Sequence, residues 1–247
     1  MRKSISAVSF AILVLVICFF GCSKGEVQEK KTVSASVSQK METVLNTAEY
    51  TLYQNIFFND MQGEYNGKPA VKQGIFTSIY DSYNGVERYY VWGYNDQTKC
   101  CDWQWELKIE SNSSLPEKGS LVEVSGTYEV NEKALDKFWI INPKISVKNE
   151  YKGNDAEIDM KTMSNTLERV QIANILNSPE YFEGMSICGY GRILDEKTLE
   201  DPYYDNSWNI GISGDFEQLA FGTLVEVEGK VKDGAIADCK VSKSTNY

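Results

Sequence analysis

The sequence contains no histidine among its 247 residues. Catalytic triads with an imidazole base, cysteine–histidine pairs and imidazole metal ligands are therefore all excluded. The chain also lacks a P-loop, a G-x-S-x-G elbow, an H-E-x-x-H helix and a dinucleotide fingerprint. We therefore expect a protein that is not an enzyme.

Basic residues are scarce too, with 25 Lys and Arg against 35 Asp and Glu and a net charge of −10. Such a surface repels phosphate backbones, so nucleic acid is not an expected partner. A hydrophobic content of 42% is enough to build real cores. The length allows one large domain or two small ones.

The amino terminus lacks an apolar run long enough for a comfortable transmembrane helix. Arg2 and Lys3 precede a short apolar segment from Ala7 to Phe20, which ends just before Cys22. This pattern is typical of a secretion signal.

The FFGC sequence at residues 19–22 resembles a bacterial lipobox. The resemblance implies that residues 1–21 are removed and that Cys22 becomes the first residue, carrying a covalent diacylglycerol. Two acyl chains are enough for stable anchoring, so we expect an exported protein held on the cell membrane or outer membrane. Residues 22–40 are polar and predict a flexible tether. The alternatives are an ordinary signal peptide with an incidental cysteine, or a retained anchor.

An internal repeat decides the predicted architecture. The sequence GSLVEVSG at 119–126 returns as GTLVEVEG at 222–229. Upstream, the glycine-ending turn EYNG at 64–67 is echoed by YFEG at 181–184. We therefore predict two domains, at 41–150 and 151–247.

Each predicted domain begins with a helix. Asn46 with Glu49, and Asn165 with Glu168, match the pairing of an N-cap residue with an acid three positions later. Apolar residues then follow at helical spacing, and these are Leu52, Tyr53, Ile56, Phe57 and Met61 in the first copy and Leu167, Val170, Ala173 and Leu176 in the second.

Strand patterns follow each helix, and Asn84-Gly85 predicts a hairpin with a type I′ turn. In the first copy the predicted strands span residues 71–80, 86–94, 102–109, 121–130 and 138–147. In the second they span 185–194, a weak strand near 201–204, 207–213, 224–231 and 235–241.

The order of helix, glycine-ending turn, strand and later G-x-x-V-E-V-x-G resembles the bacterial OB-fold group called tRNA-anti-like domains. The resemblance implies a mainly β fold with short helices, in which two tandem OB-like five-stranded barrels are each preceded by an α-helix. It implies no activity, because a fold alone does not define a function.

Two adjacent cysteines lie in the longer first copy. With nearby acids they predict a metal site or a thiol-redox site, whose candidate residues are Cys100, Cys101, Asp102 and Glu106. Adjacent residues of an extended strand point to opposite faces, so the two thiols meet only if a bulge or loop turns them together. The alternative is that one cysteine lies in the core and the other is merely exposed or partnered.

Aromatic residues cluster in the same region. Alternation places Tyr90, Trp92 and Tyr94 on one face of a strand, and with Trp103 they form a candidate platform for stacking a ligand. The alternative is that they pack on the preceding helix or on the second copy. The leading expectation is a non-catalytic module that recognises a protein or small molecule through this face. The metal or thiol-redox role is the second hypothesis.

Beyond the predicted signal peptide, which contains Cys18, the remaining two cysteines are Cys188 and Cys239, in the first and last predicted strands of the second copy. They predict either a disulfide across the barrel or two free core thiols.

Overall fold

A computed structural model describes residues 40–110, 114–203 and 207–245, and these belong to one compact unit. The predicted signal peptide, Cys22 and the predicted tether up to residue 39 lie outside the described residues. Within the described ranges, no helix has the length and apolar composition that a bilayer crossing requires.

The first sheet follows two helices, α1 (Thr47–Phe57) and α2 (Gln62–Tyr65). Its strands are β1 (Pro69–Asp81), β2 (Val86–Tyr94), β3 (Asp102–Leu107), β4 (Leu121–Val130) and β5 (Phe138–Asn149). All five predicted strands of the first copy are confirmed to within a few residues.

The second copy contains one long helix, α3 (Asn165–Asn177), and a second sheet. Its strands are β6 (Ile158–Asp159), β7 (Ser186–Asp195), β8 (Thr198–Glu200), β9 (Asn209–Gly211), β10 (Leu224–Lys232) and β11 (Ala235–Lys243). Short 3₁₀ turns lie at Met160–Thr162 and Pro179–Tyr181. The prediction for the weak second strand was misplaced, since β8 comes before residues 201–204.

The two sheets share a strand order. In the first sheet the order is β1-β2-β3-β5-β4, and β4 pairs back onto β1. The parallel join between β3 and β5 consists of one register pair, Leu107 with Ile140. The second sheet runs β11-β10-β7-β8-β9, with β6 added beside β7. An isolated bridge from Ile212 to Ile236 links its ends. The second copy therefore differs from the predicted five strands by one.

The helix starts agree with the sequence in one copy and differ in the other. The Asn46 side chain accepts a hydrogen bond from the Glu49 amide at 3.0 Å, as the cap pattern predicts. The second predicted cap is wrong by one residue, because Ser164 caps α3 and accepts from the Leu167 amide. Asn165 is thereby released for contacts outside its own helix.

The β1–β2 hairpin is confirmed, but its predicted two-residue turn is wrong. Asp81 pairs with Val86, so four residues form the connection. Within these four residues only Gly85 has a positive φ, of 66°, whereas a type I′ turn needs two. The Asp81 carboxylate accepts from the amide and the side chain of Asn84, and this stabilises the longer turn.

The predicted apolar face of α3 is confirmed only in part, since Leu167 and Val170 face the core but Ala173 does not. Leu167, Ile172 and Ile175 lie in the core, whereas Leu176 is 45% exposed. The predicted spacing overlooked this face because polar residues share it. Glu168 on α3 is one of these polar residues, only 6% exposed, and no described residue bonds its Oε1 atom.

Burial, and secondly the charge of Asp201, raise the pKa of Glu168 well above its usual value. A carboxyl with a raised folded pKa binds its proton more tightly in the folded state. Its contribution to stability is therefore greatest below the unfolded pKa of about 4.3, and is lost as pH rises from there towards the folded pKa.

We expect Glu168→Gln to raise the free energy of unfolding at pH 7 and to flatten its decline above pH 4. The gain should be about 1.4 kcal/mol for each unit by which folding raises the pKa. Urea unfolding at several pH values measures it, with exposed Glu180→Gln as the control. A variant less stable than the parent at pH 7 would contradict this account.

Candidate functional site

The loop of residues 95–101, here called the dithiol loop, connects β2 to β3 and is closed at its base. The Asn95 amide donates to the Cys101 carbonyl at 2.8 Å. The Thr47 hydroxyl donates to the Asn95 carbonyl at 3.0 Å, which attaches the loop to the start of α1. Lys99 takes a positive φ of 54°, and this turn lets seven residues close over a short span.

The loop brings two thiols together at the surface. Cys100 is exposed and Cys101 is half-buried. The Cys100 thiol donates towards the Cys101 sulfur across 3.4 Å, and the Thr98 hydroxyl lies 3.2 Å from the Cys100 sulfur. On a regular strand the two side chains would point apart. The loop is therefore the feature that makes a joint site of two neighbouring cysteines.

Helix α1 places the phenol of Tyr50 beside the Cys101 thiol. A hydrogen bond to Cys101 is the main cause that raises the pKa of Tyr50 to about 12, with burial adding to it. For Cys101, the Tyr50 hydrogen bond lowers the pKa, but the contact with Cys100, burial and nearby negative charge outweigh it and raise the pKa. Cys101 is thus a protonated thiol at neutral pH.

The two acids predicted to join the thiols are engaged elsewhere. Asp102 is buried, and its two oxygens accept from the Thr166 amide at 2.8 Å and the Thr166 hydroxyl at 2.7 Å. Glu106 lies four residues further along β3, about 13 Å away. Its carboxylate accepts from Arg88 and from the Leu135 amide, both at 2.7 Å.

Among the described residues, no three cysteine or acidic side chains converge to hold a metal ion. Structural zinc sites use four protein ligands, and catalytic ones use three. The dithiol loop offers two sulfur atoms, so the donor set departs from the predicted group of four. It suits chemistry that needs two thiols and nothing more.

The aromatic residues predicted as a ligand platform are buried. Tyr90, Trp92 and Tyr94 are each at most 5% exposed, and they belong to the core that contains the second sheet. The Trp92 indole donates to the Thr162 carbonyl at 3.0 Å. Trp103 lies in the other core, with its ring packed over Gly93.

The exposed platform is therefore wrong for these four residues, and the alternative of packing on the second copy holds for three of them. The sequence pattern was correct about alternation. It could not show that a second sheet covers the outer face of β2, because a stacking platform and an internal interface have the same composition.

The predicted Cys188–Cys239 disulfide is not formed, because both residues are free thiols. They lie on β7 and β11, and β10 runs between these strands. Two strand spacings amount to about 9.6 Å, whereas bridged cysteines have Cα atoms closer than about 7 Å. The Cys188 thiol donates instead to Asp159 at 3.1 Å, and the Cys239 thiol donates to the Ile236 carbonyl at 2.9 Å.

The residues that attach the dithiol loop and the start of β3 to α3 were not predicted from the sequence. The Asn165 side chain donates to the Lys99 carbonyl at 3.0 Å, and Thr166 binds Asp102. Both residues begin α3. Their place at a helix start was visible in the sequence, but it indicated a local cap and gave no sign of a contact some 65 positions upstream.

No protein-family model and no curated protein matches the chain. Among solved structures it is similar to a crystal structure of asparaginyl-tRNA synthetase from Pyrococcus horikoshii complexed with asparaginyl-adenylate, with 14% identity and a TM-score of 0.28. The match covers 57% of this chain and 30% of the synthetase chain. At that score the likeness says nothing about what this chain does.

We expect Trp92→Ala to lower the free energy of unfolding by about 3–5 kcal/mol, because it empties a large buried volume between the sheets. Tyr83→Ala is the matched control, since Tyr83 is 93% exposed at the hairpin tip and should change stability by less than about 0.5 kcal/mol. Urea unfolding measures both. Equal, small effects would show that Trp92 is not a core residue.

Proposed function

We propose that this chain is an exported, lipid-anchored thiol-redox protein whose working group is the dithiol of Cys100 and Cys101. The observation that carries the proposal is the 3.4 Å separation of the two sulfur atoms on an exposed loop. The motif that resembles a lipobox, with Cys22 as its last residue, supports export and anchoring. Export in turn brings the dithiol into a compartment where disulfides form and persist.

The two β units serve as the rigid support of this loop, and we infer that they are OB-like barrels. The closed strand order of the first sheet and its repetition in the second support that inference. In OB-folds the binding region lies around strands two and three and their loops. The dithiol loop connects β2 and β3 and lies in that region.

The proposed reaction is a two-electron exchange with a low-molecular-weight disulfide. The Cys100 thiol loses its proton and attacks one sulfur of the small disulfide, which releases one small thiol. Cys101 then attacks the mixed disulfide on Cys100 and releases the second small thiol. The protein gains one S–S bond and is oxidised, while the small disulfide is reduced to two thiols.

The order of attack follows from the geometry. Cys100 is the more accessible sulfur, whereas the contact with Cys100, burial and nearby negative charge oppose the ionisation of Cys101. The Tyr50 phenol lies beside Cys101. It donates a hydrogen bond that favours the thiolate when Cys101 carries the charge, as during reduction.

The test is a titration of the full exported chain with mixtures of oxidised and reduced glutathione, followed by intact mass and peptide mapping. We expect a reversible loss of two hydrogen atoms from the peptide that contains Cys100 and Cys101. Cys101→Ser should instead hold one glutathione on Cys100. Buried Cys188 and Cys239 act as internal controls that stay unmodified.

Two results would contradict the proposal. One is a chain in which both loop thiols accumulate separate glutathione adducts with no internal bond. The other is a loop that does not react at any ratio of oxidised to reduced glutathione while it is accessible to a thiol alkylating reagent.

A further inference from the structure

The dithiol is flanked on both sides by residues that form hydrogen bonds with the start of α3. Immediately before it, the Lys99 carbonyl accepts a hydrogen bond from Asn165 at 3.0 Å. Immediately after it, the Asp102 carboxylate accepts two from Thr166, at 2.8 and 2.7 Å. These three hydrogen bonds are here called the latch. Only the two cysteines separate its anchor points in the sequence, which are Lys99 in the loop and Asp102 at the start of β3.

The latch holds the start of α3. The Thr166 amide belongs to the first turn, where backbone N–H groups have no partner within the helix. Asp102 satisfies that donor, and its negative charge lies where the helix dipole favours an anion. The Tyr94 hydroxyl adds a contact of 3.3 Å to the Asn165 side chain. The first turn of α3 is therefore completed by groups of the first sheet.

The contact between α3 and the first sheet continues beyond the latch, and its far end does not involve the dithiol loop. Further along α3, Gln171 accepts from the Tyr80 amide at 3.0 Å, and Asn174 donates to the Tyr80 carbonyl at 2.8 Å. These bonds lie on β1, away from the cysteines in the sequence. These two bonds therefore serve as a control: a change confined to the latch should leave them intact.

Closing the disulfide must move the loop backbone. The sulfur atoms would approach from 3.4 Å to about 2.05 Å. Because one peptide unit joins the two residues, the side chains alone have little freedom to accommodate the bond. The change falls on the backbone of residues 99–102, where the Asn95 amide also holds the Cys101 carbonyl at 2.8 Å. The anchor points of the latch lie at both ends of this segment.

We propose that the latch and the disulfide oppose each other, so that oxidation of Cys100 and Cys101 loosens the start of α3 from the first sheet. This inference rests on the proposed redox function and adds its regulation. The oxidant is a small disulfide, which takes two electrons and two protons from the pair and leaves as two thiols. The packing of α3 on the first sheet would thereby depend on whether the two cysteines are reduced or oxidised.

The coupling is reciprocal, because two equilibria linked in one molecule shift each other by the same factor. If oxidation weakens the latch tenfold, removing the latch favours the disulfide tenfold. For a two-electron couple, that factor corresponds to a midpoint potential about 30 mV more negative.

The first test is hydrogen exchange of the full chain in reduced and oxidised glutathione buffers. We expect amides in the first turn of α3, at Thr166 and Leu167, to exchange about tenfold faster after oxidation. Amides near Asn174 should change much less. The double variant with serine at both positions, Cys100→Ser and Cys101→Ser, should show no response to the buffer.

The second test measures the midpoint potential of the pair. Thr166→Val removes one latch bond with little change of shape, and Asn165→Ala removes another. We expect both to shift the potential to more negative values, by about 30 mV for a tenfold effect. The matched control is Asn174→Ala, which removes an interface bond at the far end of α3 and should leave the potential unchanged.

The outcomes separate the two proposals. If no internal disulfide forms in any buffer, the redox function itself fails. If the disulfide forms but neither the exchange rates nor the potentials of the latch variants change, the latch inference alone is overturned. An equal shift in Asn174→Ala and Thr166→Val would also overturn it, because the effect would then be general loosening of the interface.

Discussion

The docking of α3 on the outer face of the first sheet is the contact on which the rest of the structure depends. Trp92 packs into the core of the second sheet and donates to Thr162. Asp102 completes the first turn of α3 through Thr166. Apolar burial supplies most of the driving force for such a contact. The polar pairs fix its position, because an unpaired buried polar group is costly.

This contact explains why the site differs from the predicted one. An aromatic surface that would be free on an isolated sheet is covered once the second sheet packs against it. Tyr90, Trp92 and Tyr94 are therefore unavailable for stacking a ligand. The same docking engages Asp102 and removes it from the cysteines. What stays open on the loop is the pair of thiols, and this leaves two-thiol chemistry as the function that the geometry supports best.

Much of the local structure could be predicted from the sequence. The strands of the first sheet follow from alternation, and the Asn46 cap follows from its side chain and the acid three residues later. The Ser164 cap was missed because Asn165 next to it is an equally good capping residue. The role of Asn165 depends on Lys99, and no local pattern links residues so far apart. Long-range polar contacts of this kind are set by packing.

The cysteines also show that local sequence patterns do not reveal which distant residues come together. Cys188 and Cys239 lie in the first and last long strands of the second copy, as predicted, but the strand order places β10 between them. For Cys100 and Cys101, the sequence indicated that the thiols could meet only in a bulge or loop, and the structure places them in a loop. Its positive φ at Lys99 was not foreseen, since lysine rarely adopts that conformation and nothing in its neighbours indicates it.

The most direct test of a cycling dithiol is the redox state of the loop in the living cell. Cells are quenched in acid, free thiols are alkylated, and disulfides are then reduced and labelled with a heavier reagent. The peptide that contains Cys100 and Cys101 is quantified in both forms. We expect both forms to be present, in a ratio that changes when a reductant is added to the medium. A loop that stays fully reduced under oxidising and reducing conditions alike would contradict it.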